Sequence, residues 1–182
     1  MSISKPCFGF NSIGSQCWWE EVVASTILDC NPNCSEERVQ QTASDLYNYY
    51  ASSNPWMLVE NNIRQTLLKL RLKGIILVVS SNFDSRLKYI LRQFNLSDLF
   101  SMVILSGEVG YEKPDKRIFQ LIFNLCELSH PSEILHIGDN YKNDFQGARN
   151  YGCKSLLFDQ NSSCSSVEPF DRISRLSMLN LY

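Results

Sequence analysis

The amino-acid sequence predicts an α/β protein built on a three-layer, doubly wound parallel sheet. Short apolar runs alternate with segments of helical periodicity after Gly74, in the order βαβαβαβ, which is the alternation expected of such a sheet. The first run, residues 75–79, is apolar throughout, as a strand covered by helices on both faces should be. The other predicted strands are residues 102–105, 134–137 and 154–158.

The length and composition indicate one ordinary globular core with, at most, a small additional lobe. The chain has 182 residues, of which 44% are hydrophobic and 20% are charged, and its net charge is -2. Such a charge gives no electrostatic reason to expect nucleic acid or an acidic membrane as a partner. The first residues lack the apolar core of a signal peptide and no apolar stretch is long enough for a bilayer, so we expect a soluble, intracellular protein. The seven irregularly spaced cysteines are then expected to be free thiols.

Two helices precede the predicted sheet and indicate a small helical lobe. Residues 16–29 and residues 35–50 each carry apolar side chains at helical spacing. The segment 52–55, Ser-Ser-Asn-Pro, is the strongest punctuation inside the chain. We therefore predict a helical lobe over residues 1–54 and an α/β domain over residues 55–182.

Helices are also expected between and after the strands. The first predicted helix is residues 59–73, the second has its apolar positions within residues 87–94 and the third within residues 118–123, and a short closing helix follows over residues 169–181. Pro114 suits the first turn of the third of these helices, so Lys113 is predicted to stand immediately before a helix. After the strand 134–137, Gly138 permits a sharp turn and Asp144 can begin a helix.

Polar side chains are predicted at the ends of three strands. Ser81 and Asn82 follow the first, Lys113 follows the second, and Asp139 and Asp144 follow the third. Because the carboxyl ends of parallel strands meet at one edge of the sheet, these groups should share a ligand site. A hydroxyl, amide N–H groups and one cation suit a phosphate dianion, so the first three residues are predicted to bind phosphate. Paired carboxylates suit Mg²⁺, although for the two aspartates alone the simpler alternative is that they cap a helix.

These motifs resemble those of the haloacid dehalogenase superfamily. Ser81 in SSNFD resembles the second motif of that family, Lys113 in EKPDKRIF the third, and Asp139 with Asp144 in HIGDNYKND the fourth. The early Trp-Trp helix resembles the helical cap of such enzymes, so the lobe would be part of a cap. The resemblance implies an α/β core of that family, Mg²⁺ as cofactor, and phosphatase activity through an aspartyl-phosphate on a small phosphorylated substrate.

The family's first motif, Asp-x-Asp-x-Thr after an apolar strand, has no counterpart in this sequence. The nearest match places Asp29 at the nucleophile position with Asn31 in place of the general acid, and asparagine cannot transfer the proton. A surface acid at the end of a helix is the simpler interpretation of Asp29. No residue is therefore assigned as the nucleophile, and covalent catalysis should be lost.

The missing motif also bears on the fold, because the family's first strand lies at the centre of its sheet. Its absence should leave a gap in the hydrogen-bonded ladder. We expect a truncated and inactive chain, and two alternatives remain: a non-catalytic binding or regulatory protein of the same fold, and an unstable fragment.

His136, in the apolar run before Gly138, is predicted to be a packed, hydrogen-bonded histidine rather than a catalytic one. The substrate cannot be read from the sequence.

Overall fold

A computed structural model of the protein describes residues 5–161 and 164–179. In chain order the helices and strands are α1 (Pro6–Gly9), α2 (Gly14–Cys30), α3 (Glu36–Ala51), α4 (Ile63–Leu72), β1 (Val78–Ser81), α5 (Arg86–Gln93), β2 (Met102–Leu105), α6 (Ser106–Val109), α7 (Lys116–Leu125), β3 (Leu135–Gly138), a π-helical turn (Tyr141–Gln146), α8 (Gly147–Tyr151), β4 (Lys154–Phe158) and β5 (Arg172–Ile173). Single 3₁₀ turns lie at Ser97–Leu99, Pro131–Glu133, Pro169–Asp171 and Leu176–Met178. Within the described ranges, no helix has the length and apolar character needed to cross a membrane.

The strands form two separate ladders rather than one continuous sheet. Strands β1 and β2 pair with each other, and β3, β4 and β5 form a second sheet in that order. The second sheet is parallel: Leu135 lies opposite Lys154 in the β3–β4 register, and Leu157 lies opposite Arg172 in the β4–β5 register.

The chain divides into two compact units, each made of several segments. Of the described residues, the first unit contains 5–57, 79–98 and 103–111, and the second contains 58–78, 99–102 and those from Glu112 onward. The predicted division at residue 54 falls close to the end of the first segment. The assignment of residues 1–54 as a cap and 55–182 as a core stays a prediction.

In the first unit, α2 and α3 pack against each other through aromatic rings. Trp19 meets Tyr50 edge to face at 5.6 Å between ring centroids, and Tyr50 meets Trp56 at 6.1 Å. Val39 and Ala43 on α3 are buried. Edge-to-face pairs of this kind are worth about 0.5–1.5 kcal/mol each beyond the area they bury, so the Trp19–Tyr50 contact adds to the packing of α2 on α3.

In the second unit, α7 and α8 cover the three-stranded sheet. Phe119 on α7 and Ala148 on α8 are completely buried, and Leu157 on β4 is 2% exposed. Asp115 caps α7 by accepting a hydrogen bond from the backbone N–H of Arg117 at 2.9 Å, as an N-cap aspartate does. The helix therefore begins at Lys116, two residues later than Pro114 suggested.

Most predicted elements are confirmed, with shifted ends. The strands 102–105 and 154–158 coincide with β2 and β4. The first predicted strand, 75–79, starts three residues before β1 and ends two residues before β1 ends, since β1 includes Ser80 and Ser81. The helix predicted from Asp144 instead starts as the π-helical turn at Tyr141.

The predicted closing helix over residues 169–181 is wrong. Two 3₁₀ turns and the short strand β5 occupy its described part, and residues 180 and 181 lie outside the described residues. The backbone N–H groups of Leu176 and Ser177 donate to the buried carboxylate of Glu60. In a helix these two N–H groups would donate to backbone carbonyls of the preceding turn. Here the carboxylate of Glu60 accepts from them instead.

Candidate functional site

The turn after β3 brings a carboxylate back over the strand that precedes it. The side chain of Asn140 accepts a hydrogen bond from the N–H of Asn143 at 2.8 Å and so caps the π-helical turn. The wider π turn, whose hydrogen bonds span one more residue than those of an α-helix, carries Asp144 to the inner side, where it is 5% exposed. The N–H of Asn140 then donates to Asp144 Oδ2 at 3.0 Å.

A buried cluster of three side chains forms around this carboxylate. Lys113 Nζ lies 2.7 Å from Asp144 Oδ1, and His136 Nε2 lies 2.9 Å from the same oxygen. Lys113 is 8% exposed and His136 is 9% exposed. Charged and hydrogen-bonded groups are rarely buried together unless they are paired, so this pairing explains why the second unit tolerates them. Lys113 and Asp144 were predicted to lie close together, and they do.

The surroundings of Asp144 favour its ionised form. Burial alone would raise the pKa of this carboxyl group, but the hydrogen bond from His136, the charge of Lys113 and the N–H of Asn140 outweigh it. Its pKa is therefore held far below the usual range. Asp144 thus remains an anion throughout the physiological pH range.

Gly138 is required by the position of this carboxylate. A Cβ atom at residue 138 would lie 2.3 Å from Asp144 Cγ and 2.5 Å from its Oδ2. We expect Gly138→Ala to lower the free energy of unfolding by about 2 kcal/mol, because side chains forced into an occupied core typically cost 1–3 kcal/mol. Urea unfolding followed by circular dichroism would measure the change.

The matched comparison is the same substitution in an Asp144→Gly background, because the Cβ of Asp144 would lie 2.7 Å from the added methyl group and would remain in an alanine. With the whole side chain removed, the added methyl group has space, so Gly138→Ala should cost less than about 0.5 kcal/mol there. Equal costs in the two backgrounds would contradict a clash with Asp144 as the cause.

Asp139 differs from Asp144 in its environment, because it is exposed at the surface of the turn. Within the described ranges, no group of three or more His, Cys, Asp or Glu side chains is arranged to hold a metal ion. The oxygens of Asp144 already accept from Lys113, His136 and Asn140. These residues do not make a complete magnesium site by themselves, and their assignment as Mg²⁺ ligands stays a prediction.

The predicted phosphate ligands Ser81 and Asn82 belong to the first unit. Ser81 ends β1 and Asn82 begins the loop that leads to α5, and both are half-buried. They lie at the carboxyl end of a strand, as predicted. Their participation with Lys113 in one phosphate site stays a prediction.

The loop after Asn82 contains a buried ion pair that the sequence analysis missed. Asp84 is 0% exposed and Arg86 is 5% exposed, and the Arg86 guanidinium binds the carboxylate with Nη2–Oδ2 at 2.7 Å and Nε–Oδ1 at 2.9 Å. Asp84 also accepts from the N–H of Arg86, the first residue of α5, at 3.0 Å. Aromatic rings of α2 and α3 cover the guanidinium, with Tyr47 at 4.3 Å and Trp19 at 4.6 Å. The aromatic cover of the guanidinium does not follow from local sequence.

Asp29, the nearest match to the family's nucleophile, lies in the last turn of α2 and is exposed. It does not follow a buried strand. This position confirms the simpler interpretation of Asp29 as a helix-terminal surface acid.

Comparisons with known proteins agree with the motifs. Residues 11–152 match the family model of the haloacid dehalogenase-like hydrolases. Haloacid dehalogenase-like hydrolase domain-containing protein 3 from Bos taurus is 35% identical over 157 residues, which cover 86% of this chain and 61% of the relative. The protein of the same name from Mus musculus is 34% identical over 176 residues, covering 95% and 66%. A ribulose-1,5-bisphosphate 5-phosphatase from Halopiger xanaduensis is 27% identical over 125 residues, covering 68% and 52%.

Solved structures show the same fold. A 2-haloacid dehalogenase from Pseudomonas syringae superposes with a TM-score of 0.68 at 19% identity, covering 97% of this chain and 73% of that one. A HAD-hydrolase from Bacillus subtilis, described as bound to magnesium, gives 0.67 at 15% identity, covering 91% and 70%. The chain spans 61% and 66% of the length of the bovine and mouse relatives. The family match and the identity to these relatives establish that the chain belongs to the haloacid dehalogenase-like hydrolases.

Proposed function

We propose that this chain provides the phosphate-binding and lysine-bearing part of a Mg²⁺-dependent phosphatase, and that it is inactive alone. In a protein that also carries the family's first motif, these residues would serve hydrolysis of a small phosphorylated substrate through an aspartyl-phosphate. The observation that carries the proposal is the buried pair of Lys113 and Asp144 beside the Gly-Asp turn that follows β3. The relative from Halopiger xanaduensis, which is named as a phosphatase, supports the reaction class.

The proposed role of Lys113 is to present a fixed positive charge to a phosphoryl group. A preorganised cation stabilises the negative charge that develops on the phosphoryl oxygens without the cost of reorganising at each turnover. Asp144 holds the ammonium in place at 2.7 Å. The Ser81 hydroxyl and the Asn82 amide would add hydrogen-bond donors to the same phosphate.

Magnesium, when bound, would neutralise phosphate charge and orient the phosphoryl group. The exposed carboxylate of Asp139 is the proposed ligand from this turn, with Asp144 beside it. Because no complete set of ligand side chains is present in the described residues, we expect the chain alone to bind Mg²⁺ weakly.

The proposed inactivity follows from the lack of a placed nucleophile. The sequence contains no Asp-x-Asp pair, and Asp29 lies on a helix surface. Without an attacking carboxylate, no aspartyl-phosphate can form. We also propose an intracellular compartment, where a reducing environment would keep the seven cysteines of the sequence as thiols.

Hydrolysis of 4-nitrophenyl phosphate in the presence of Mg²⁺ tests the proposed inactivity. The chain should release nitrophenol at the rate of the buffer, and Asp29→Ala should leave that rate unchanged. Saturable turnover by the chain would contradict the proposal. If that turnover were abolished by Asp139→Ala but not by Asp29→Ala, an acid other than Asp29 would be the nucleophile.

A second candidate function is a non-catalytic protein that retains phosphate binding. The absence of the nucleophile together with the intact Lys113–Asp144 pair favours it. Titration of the chain with inorganic phosphate, followed by ³¹P NMR, separates the candidates. Binding of phosphate that is lost in Lys113→Met but retained in Lys142→Met would support a binding protein. If the chain binds no phosphate, the second candidate function is excluded and only the inactive part of a phosphatase remains.

A further inference from the structure

His136 is a buried polar side chain that the proposed chemistry does not use. It lies in the middle of β3, where it pairs in register with the buried Ser155 of β4. Its ring meets Phe119 of α7 edge to face at 5.4 Å, with the two planes at 89°. The backbone of β3 and the ring of Phe119 therefore both restrict the orientation of the imidazole.

The contact between His136 and Asp144 has only one hydrogen-bond direction. An ionised carboxylate has no proton to donate, so the 2.9 Å contact requires that His136 Nε2 carries the hydrogen and donates to Asp144 Oδ1. This holds whether or not Nδ1 also carries a proton. Lys113 Nζ donates to that same oxygen at 2.7 Å.

Shared use of one oxygen couples His136 to the lysine. Asp144 is reached from β3 by the imidazole and from its own turn by the N–H of Asn140, which donates to the other oxygen at 3.0 Å. Together these two donors fix the plane of the carboxylate. The direction from which Lys113 can approach Oδ1 is fixed in consequence, because the His136 N–H and the Lys113 ammonium must both fit around the lone pairs of that oxygen.

We propose that His136 is a positioning residue that holds Asp144 in the orientation which fixes the Lys113 ammonium. It acts through the carboxylate and does not touch the phosphoryl group. This proposal rests on the proposed function for its purpose, since a fixed lysine matters most where a phosphate must be held. Its geometry is independent of that function.

The rate at which acetic anhydride acetylates each lysine, measured by mass spectrometry of the folded chain, tests the coupling. His136→Phe keeps a ring of similar shape but has no donor, and His136→Gln keeps an N–H donor. Loss of a hydrogen bond to a charged group should raise the acetylation rate of Lys113 roughly tenfold in His136→Phe. In His136→Gln the rate should stay within about threefold of the wild type. Lys88, which pairs with Glu108 at the surface of the first unit, should react equally in all three proteins.

Two results would overturn the proposal. One is an unchanged Lys113 rate in a His136→Phe variant whose circular dichroism matches the wild type. The other is an equal increase in the Phe and Gln variants, which would indicate loss of packing instead of loss of the donor. If His136→Phe does not fold, ¹⁵N NMR of the wild-type imidazole decides: a protonated Nε2 supports the proposal, and an unprotonated Nε2 overturns it.

The phosphate titration keeps this proposal separate from the proposed function. If the acetylation rates behave as expected and the wild-type chain binds no inorganic phosphate, the positioning role stands and phosphate binding fails. If phosphate binds and His136→Phe weakens it roughly tenfold while His136→Gln does not, both stand. If phosphate binds and the acetylation rates do not change, the positioning role fails alone.

Discussion

Replacing Arg86 by methionine is expected to lower the free energy of unfolding by about 4 kcal/mol, because it leaves a completely buried carboxylate without its counter-charge. Asp84 is 0% exposed and receives three hydrogen bonds from the Arg86 side chain. The substitution also removes the cation–π contacts of the guanidinium with Tyr47 and Trp19, which stabilise a desolvated cation further. Urea unfolding monitored by tryptophan fluorescence would measure the loss.

Lys88→Met is the matched control on the same helix. Lys88 pairs with Glu108 at 2.7 Å, but its side chain is 43% exposed, and surface pairs of this kind contribute at most about 1 kcal/mol. Arg86→Lys should fall between the two variants, because it keeps the charge and loses the planar fork. If Arg86→Met were no more destabilising than Lys88→Met, the buried pair would not stabilise the first unit.

Replacing Lys113 by methionine is expected to lower the free energy of unfolding by about 3 kcal/mol, since breaking one side of a buried ion pair typically costs 3–5 kcal/mol. His136 and the N–H of Asn140 remain as donors to Asp144, which places the expected loss at the lower end of that range. Lys142→Met, an exposed lysine in the neighbouring turn, should change the free energy of unfolding by less than about 0.5 kcal/mol.

The pH dependence of stability provides a second measurement on the same variant. The folded-state pKa of Asp144 lies below its unfolded value, so the unfolded chain binds more protons and stability rises with pH. The contribution of Asp144 is fully present above the unfolded pKa and is lost as pH falls through about 4 toward the folded value. Lys113→Met should therefore lose less stability than the wild type between about pH 6 and pH 3.5. An identical loss in both proteins would contradict a role for Lys113 in lowering this pKa.

Local sequence predicted the strands well where apolar runs end at clear punctuation. Residues 102–105 are such a run and coincide with β2, and residues 154–158, whose last three residues are apolar, coincide with β4. The first strand was predicted to end too early because two serines follow its apolar run. Whether a serine belongs to a strand depends on its packing against neighbouring strands more than on its own preference. The closing helix failed for a related reason, because Glu60 bonds the backbone there from more than a hundred residues away.

The candidate site was predictable in its residue types but not in its contacts. Lys113 and Asp144 could be grouped because strand ends share one edge of a sheet. The partner of His136 could not be identified, because an α-helix beginning at Asp144 would not return the carboxylate over β3. The π-helical turn that does so has no distinct sequence signal. The cluster around Arg86 joins side chains from α2, α3 and the start of α5. No single stretch of sequence therefore reveals it.

The π-helical turn makes this site sensitive to the number of residues between β3 and α8 more than to their identity. Each residue added to or removed from a helix rotates everything beyond it by about 100°. A single deletion within residues 141–143 would relax the turn to an ordinary α-helix and swing the carboxylate of Asp144 away from Lys113, although every side chain of the cluster would still be present. Among related sequences, a change of spacing in this turn is therefore a better sign of a lost site than a substitution of its exposed residues.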